Sequence, residues 1–107
     1  MRKARASSPA ISARRREQYV LRLYVAGLTP RSRQAIANIT SICEEYLQGR
    51  YDLEVIDVFK RPVLAREEQI VATPTLVKKL PAPLRRLIGD LSEREKVLIG
   101  LDVRRQG

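Results

Sequence analysis

A chain of 107 residues, 44% hydrophobic and 31% charged, has room for one domain with a real core and is neither collagen-like nor wholly disordered in composition. It contains no histidine, which removes the commonest general base, Ser-His triads and the commonest metal ligand; its single cysteine, Cys43, excludes an internal disulfide and a CxxC redox pair. The net charge of +9 is unevenly spread: Arg2, Lys3, Arg5, Arg14, Arg15 and Arg16 supply +6 within residues 1–16, leaving +3 for the rest.

That leader, with Ser7, Ser8 and Pro9 and no sustained periodicity, reads as a flexible basic tail. It is either a solvated extension or an electrostatic tether for RNA, DNA or an acidic protein surface. No apolar stretch approaches the roughly 18 residues a bilayer span needs, and no apolar run follows the arginines as in a signal peptide. No membrane partner is therefore expected, and the cytoplasm is the default location. Residues 17–107 are expected to form the single folded domain.

Tyr19, Leu21, Leu23 and Val25 alternate with Val20, Arg22, Tyr24 and Ala26, which predicts a central strand over 18–26 with one strongly apolar face. Gly27 breaks the run, Thr29 is a candidate cap, and Pro30 suits the first turn of a helix. That helix is expected to reach Leu47, burying Ala35, Ile36, Ile39, Ile42, Cys43, Tyr46 and Leu47, with Gly49 ending it. Cys43 thus reads as a core thiol. A second strand over 52–59 completes a parallel βαβ unit, closed by Lys60, Arg61 and Pro62.

Beyond Lys60 the signals divide. Residues 63–70 are helix-compatible but short, so helix and loop both stand. Residues 75–80 read as a strand, preceded by Thr73-Pro74-Thr75 and followed by Pro81-Ala82-Pro83, and X-Pro bonds admit the cis isomer readily. Residues 84–88 suit a strand or a short helix. Ser92 and Glu95 make a capping box for a helix to Val103, yet Val97-Leu98-Ile99-Gly100-Leu101 is β-branched and carries a glycine that penalises a helix by about 1 kcal/mol. Such conflict fits one fold decided by tertiary contacts, or a segment with two near-equal packings. Paired catalytic carboxylates, an Asp-rich calcium loop, GxGxxG and a P-loop are all absent from the sequence, so neither enzyme activity nor a cofactor is expected. Phe59 and the four tyrosines form no base-stacking motif, which counts against nucleic acid.

The stretches YVLRLYVAGLTPRS, YDLEVIDV and EEQIVATPTLVKKLPAPLRRLIGDLSEREKVLIGLD resemble the KaiB family of bacterial circadian clock proteins, over roughly Tyr19 to Asp102. The resemblance implies a thioredoxin-like, metamorphic α/β protein: a homotetrameric ground state ordered βαββααβ and a monomeric switched state ordered βαβαββα. The switched state is the one that binds KaiC, a hexameric ATPase whose phosphorylation cycle it times or resets; KaiB-like stress-response proteins and a KaiB-like input module of the SasA kinase are related readings. A thioredoxin-like redox protein would need a cysteine near Gly27 to Ser32, and AGLTPRS has none.

By the same resemblance, Gly100 and Asp102 hold the balance between the two folds and Tyr19 affects it. Thr73-Pro74-Thr75 resembles the cis-proline strand entry of thioredoxin-like folds, with Pro81 and Pro83 as further candidates for slow isomerisation. Lys60, Arg61, Glu67, Glu68, Arg85 and Arg86 are the expected partner-binding residues. Gln34 and Gln69 stand where cyanobacterial members are expected to carry basic residues, and Arg104 and Arg105 replace a tyrosine and an acidic tail. These departures suggest a non-cyanobacterial member whose system lacks the third clock protein, KaiA.

Overall fold

In the computed structural model, which describes residues 18–103, the apolar alternation after Gln18 becomes β1 (Tyr19–Val25). The basic tail 1–16, Arg104, Arg105 and Gly107 lie outside the described residues. α1 (Pro30–Tyr46) starts as its sequence suggests: Thr29 Oγ1 accepts the Ser32 amide at 3.1 Å and Pro30 takes the first turn. β2 (Tyr51–Asp57) then pairs parallel to β1, Tyr19 opposite Tyr51 through Val25 opposite Asp57. β2 stops two residues short of the predicted Phe59 because Asp57 Oδ1 accepts the Phe59 amide at 2.9 Å and turns the chain.

The ambiguous half resolves into α2 (Pro62–Glu67), β3 (Thr75–Leu80), β4 (Arg85–Ile88) and α3 (Arg94–Gly100). The order βαβαββα is the one the resemblance assigns to the switched form. Strands run β2-β1-β3-β4, with β3 antiparallel to both its neighbours, so β1 is central as expected. The peptide bonds Thr73–Pro74, Leu80–Pro81 and Ala82–Pro83 are cis.

α3 departs from the sequence expectation at both ends. The cap position falls to Glu93, one residue after the expected Ser92, and makes no side-chain capping bond; the Ser92 amide, which a capping box would offer to Glu95, donates to the Asp90 carboxylate at 3.1 Å. The helix ends at Gly100 rather than Val103. There the Asp102 amide donates to Ile99 O and the Val103 amide to Leu98 O, both at 3.0 Å, while Asp102 takes φ 58°; this is a Schellman closure around a left-handed residue.

The sheet is covered unequally. One face buries Leu21, Leu23, Val25 and Leu76 against Ala35, Ile39, Ile42 and Cys43 of α1 and Val97, Leu98 and Leu101 of the α3 region. On the other face Tyr24, Ile56 and Val77 pack with Val58, Leu64 and Ile70, so α2 covers one end only. Burial of each large aliphatic side chain is worth roughly 1.5–3 kcal/mol, and the α1–α3 side holds most of them.

Candidate functional site

Two groups of residues draw together side chains that the sequence singles out. The first is at the end of the sheet where β1 begins. β3 continues the strand alternation so that Lys78 pairs with Leu21 and shares its helix-covered face. The Lys78 side chain is 0% exposed, and an ammonium in that setting requires an anion. Asp102 supplies it: Lys78 Nζ donates to Asp102 Oδ2 at 3.1 Å, and Arg85 Nε, from the neighbouring strand, donates to the same oxygen at 3.3 Å. These bonds, Lys78 first and Arg85 second, hold the Asp102 carboxyl below its ordinary range. The Tyr19 hydroxyl donates to the Asp102 carbonyl at 3.2 Å.

Pro81 and Pro83 line a depression of about 400 Å³ beside Lys78, Arg85 and Asp102. Gly100 lies at the end of α3, where an added Cβ would stand 2.5 Å from Leu87 Cδ2. Tyr19, Asp102, Pro81 and Pro83 are thus gathered in one cluster with Gly100 two residues from it. Pro74 is not part of it: it is buried at the far end of β3, where its carbonyl accepts the Gly89 amide at 3.0 Å.

The second group occupies the opposite end of the sheet, outside the carboxyl ends of the parallel strands, where α/β sheets commonly bind ligands. The links after β1 and β2 and the loop before β3 meet there. Asp57 Oδ1 fastens two of them, accepting the Gly27 amide at 3.3 Å as well as that of Phe59. These links and α2 expose Leu28 (70%), Phe59 (75%), Val63 and Val71 (88%). Beside them is a depression of about 350 Å³ lined by Val58, Pro62, Ala65, Arg66, Ile70 and Val71. Large apolar side chains are exposed elsewhere too, at Ile88 and Ile99 among others, but these four lie in the links and helix around one end of the sheet.

The predicted partner-binding charges divide between the two groups. Lys60 and Glu67 are exposed beside the apolar end. Arg61 reaches Glu54 at 3.4 Å. Glu68 is mostly buried, its Oε2 accepting from Lys79 Nζ at 2.8 Å and its carbonyl accepting from Arg86 Nη2 at 2.9 Å. Arg85 and Arg86, adjacent in sequence, face opposite sides of the sheet: Arg85 pairs with Lys78 and Arg86 with Val77. Only Arg86 belongs with α2.

Cys43 is fully buried in α1, and burial, with the Glu44 charge second, pushes its thiol up to about 12. Among the described residues no group of three or more His, Cys, Asp or Glu is placed to hold a metal, and no helix is long and apolar enough to cross a membrane.

Residues 22–103 match the KaiB domain. The circadian clock oscillator protein KaiB of Microcystis aeruginosa is 60% identical over 88 residues, covering 82% of this chain and 85% of that protein. The chain belongs to the KaiB family. KaiB of Synechococcus elongatus is likewise 60% identical over 88 residues, 82% of this chain and 86% of that protein. The thioredoxin-like fold of this KaiB chain is echoed in solved structures. The N-terminal domain of Synechococcus elongatus SasA aligns with TM-score 0.62 and 25% identity over all of this chain and 96% of that domain. Mitochondrial thioredoxin 3 of Saccharomyces cerevisiae aligns with TM-score 0.62 and 20% identity, over 78% of this chain and 80% of that one, a likeness of fold alone.

Sequence reasoning missed Lys78 and the exposed apolar end. The first was foreshadowed by strand alternation, since Lys78 is two residues from Leu76 and so shares its face. The second had a weaker signal, large apolar residues at Phe59 and Val71 in links rather than in periodic segments.

Proposed function

We propose that this KaiB chain is a non-catalytic, cytoplasmic regulator of a circadian or hourglass-type timer, and that it acts by binding a KaiC-type hexameric ATPase in the βαβαββα form. The observation that carries the reading is the exposed apolar end formed by Leu28, Phe59, Val63 and Val71, flanked by Lys60 and Glu67. A surface of that kind, flanked by charges of both signs and without a redox cysteine, suits a protein partner better than a small substrate. Arg61 and Arg86, both bonded within the α2 face, support that surface rather than reach out from it.

Binding is gated by a slow change of fold. A homotetrameric ground state ordered βαββααβ exchanges with the monomeric form, and the residues after Lys60 are those that repack. Two features support this: the sequence of 84–88 and 97–101 suits both helix and strand, and Tyr19, Lys78, Arg85 and Asp102 join the ends of β1, β3, β4 and α3. Residues 17–107 act as one domain behind a basic tail, in a system that works without KaiA.

Gel filtration of the chain mixed with its cognate KaiC-type ATPase under ATP tests the reading. A complex that accumulates over hours supports it, and no complex after long incubation overturns the partner.

A further inference from the structure

The apolar core that α1 and α3 share with the sheet gives their packing little direction, because apolar burial is not orientation-specific. Beside that apolar stripe runs a polar one. Gln34, Asn38, Ser41 and Glu45 recur at helical spacing along one side of α1, and the last three bind the segment that enters α3. Gln34 Nε2 donates to Asn38 Oδ1 at 3.2 Å, which leaves Asn38 Nδ2 to donate to the Asp90 carbonyl at 2.8 Å. One turn on, Arg94 Nη2 donates to Ser41 Oγ at 3.2 Å, and Arg94 Nη1 donates to Glu45 Oε1. The same guanidinium lies 5.8 Å from the centroid of the Tyr46 ring. Asp90 is itself fixed by its carboxylate, which accepts from Ser92.

We infer that this polar seam on α1, Gln34–Asn38–Ser41–Glu45, is the register device that selects the place and direction of α3, with Arg94 and the Asp90 carbonyl as its two contact points. It joins the βαβ half, whose sequence reads one way, to the half whose sequence reads two ways. Its bonds are directional, those of Arg94 exposed and that of Asn38 part-buried, so they add modestly to stability while discriminating among packings of similar apolar content. Gln34 acquires a role of its own here, since it orients the Asn38 amide.

The inference rests on the reading that the C-terminal half repacks, and the test separates the two. Amide hydrogen exchange is followed by NMR in the full chain and in the Asn38→Ala/Arg94→Ala double variant. The amides of Val97, Leu98 and Leu101 should exchange about five- to tenfold faster, while those of Leu21 and Leu23 stay unchanged. The charge-exchanged pair Glu45→Arg/Arg94→Glu should recover part of the protection that Arg94→Glu alone loses. Unchanged α3 exchange, or a rise equal across the core, overturns the seam. Association with the KaiC-type ATPase is measured in parallel: faster α3 exchange without any change in association rate keeps the seam and removes the fold-change gating.

Discussion

Gly100→Ala sets two opposed effects at one atom. Glycine in a helix interior is about 1 kcal/mol worse than alanine, and Gly100 is the last residue of α3, so the added methyl favours the helix by at most that amount. In this fold the new Cβ meets Leu87 at 2.5 Å from Cδ2, 3.1 Å from Cγ and 3.3 Å from Cδ1. Leu87 is half-buried on the short edge strand β4, and the nearest atom is the free end of its side chain, so it turns aside at a cost of about 0.5 kcal/mol. The net is at most about 0.5 kcal/mol in favour of the helix, up to roughly a twofold shift in any equilibrium that α3 helicity controls. Gly100→Val brings a second branch to the same place and loses helix propensity, and it should destabilise α3 by about 1–3 kcal/mol. Hydrogen exchange at Leu98 and Leu101 reads both variants, and interferometry with the KaiC-type ATPase reads the consequence. Ala should slow exchange and speed association, and Val should do the reverse. If Ala speeds exchange as Val does, Leu87 does not give way and the reasoning fails.

Cys43, buried with its thiol pushed up to about 12, should resist a thiol-specific reagent at pH 8 in the folded protein and react fully once denaturant is added. The Asp102 carboxyl is depressed from 3.8, so its stabilising bonds to Lys78 and Arg85 are fully present above that value and are lost as pH falls through its folded pKa; in Asp102→Asn, the acid limb of a thermal-stability profile below about pH 4 should flatten. Phe59→Asp, at a side chain 75% exposed, should leave the melting temperature within about 2 °C while lowering affinity for the KaiC-type ATPase at least about tenfold, measured by interferometry.

The first βαβ unit could be read from the chain because each local preference there agrees with its surroundings. Thr29 and Pro30 begin α1 as their chemistry requires, and the alternation from Tyr19 to Val25 matches a central strand. Beyond Lys60 local rules gave out for identifiable reasons. Ser92 is a good cap in isolation, but its amide is drawn to the Asp90 carboxylate and the helix starts one residue later, with Glu93 at the cap. Residues 85–88 gain their strand from pairing with β3, a contact no local pattern encodes. The candidate site divides in the same way: the family resemblance pointed to Tyr19, Gly100 and Asp102, whereas Lys78 depends on a partner 24 residues further along the chain. Arg85 and Arg86 looked like one basic pair, and strand geometry sends them to opposite faces.

The unequal cover of the sheet bears on how such a chain could change shape at all. α3 is a lid of seven residues over the deepest part of the core, and Val97, Leu98 and Leu101 are its underside. Lifting it bares the apolar flank of α1 and the sheet to water, a state too costly to persist unless something else closes over it. In the proposed exchange that cover is the same chain refolded and a second copy of it. Self-association and repacking would then be two halves of one event, and dilution alone would favour the form described here.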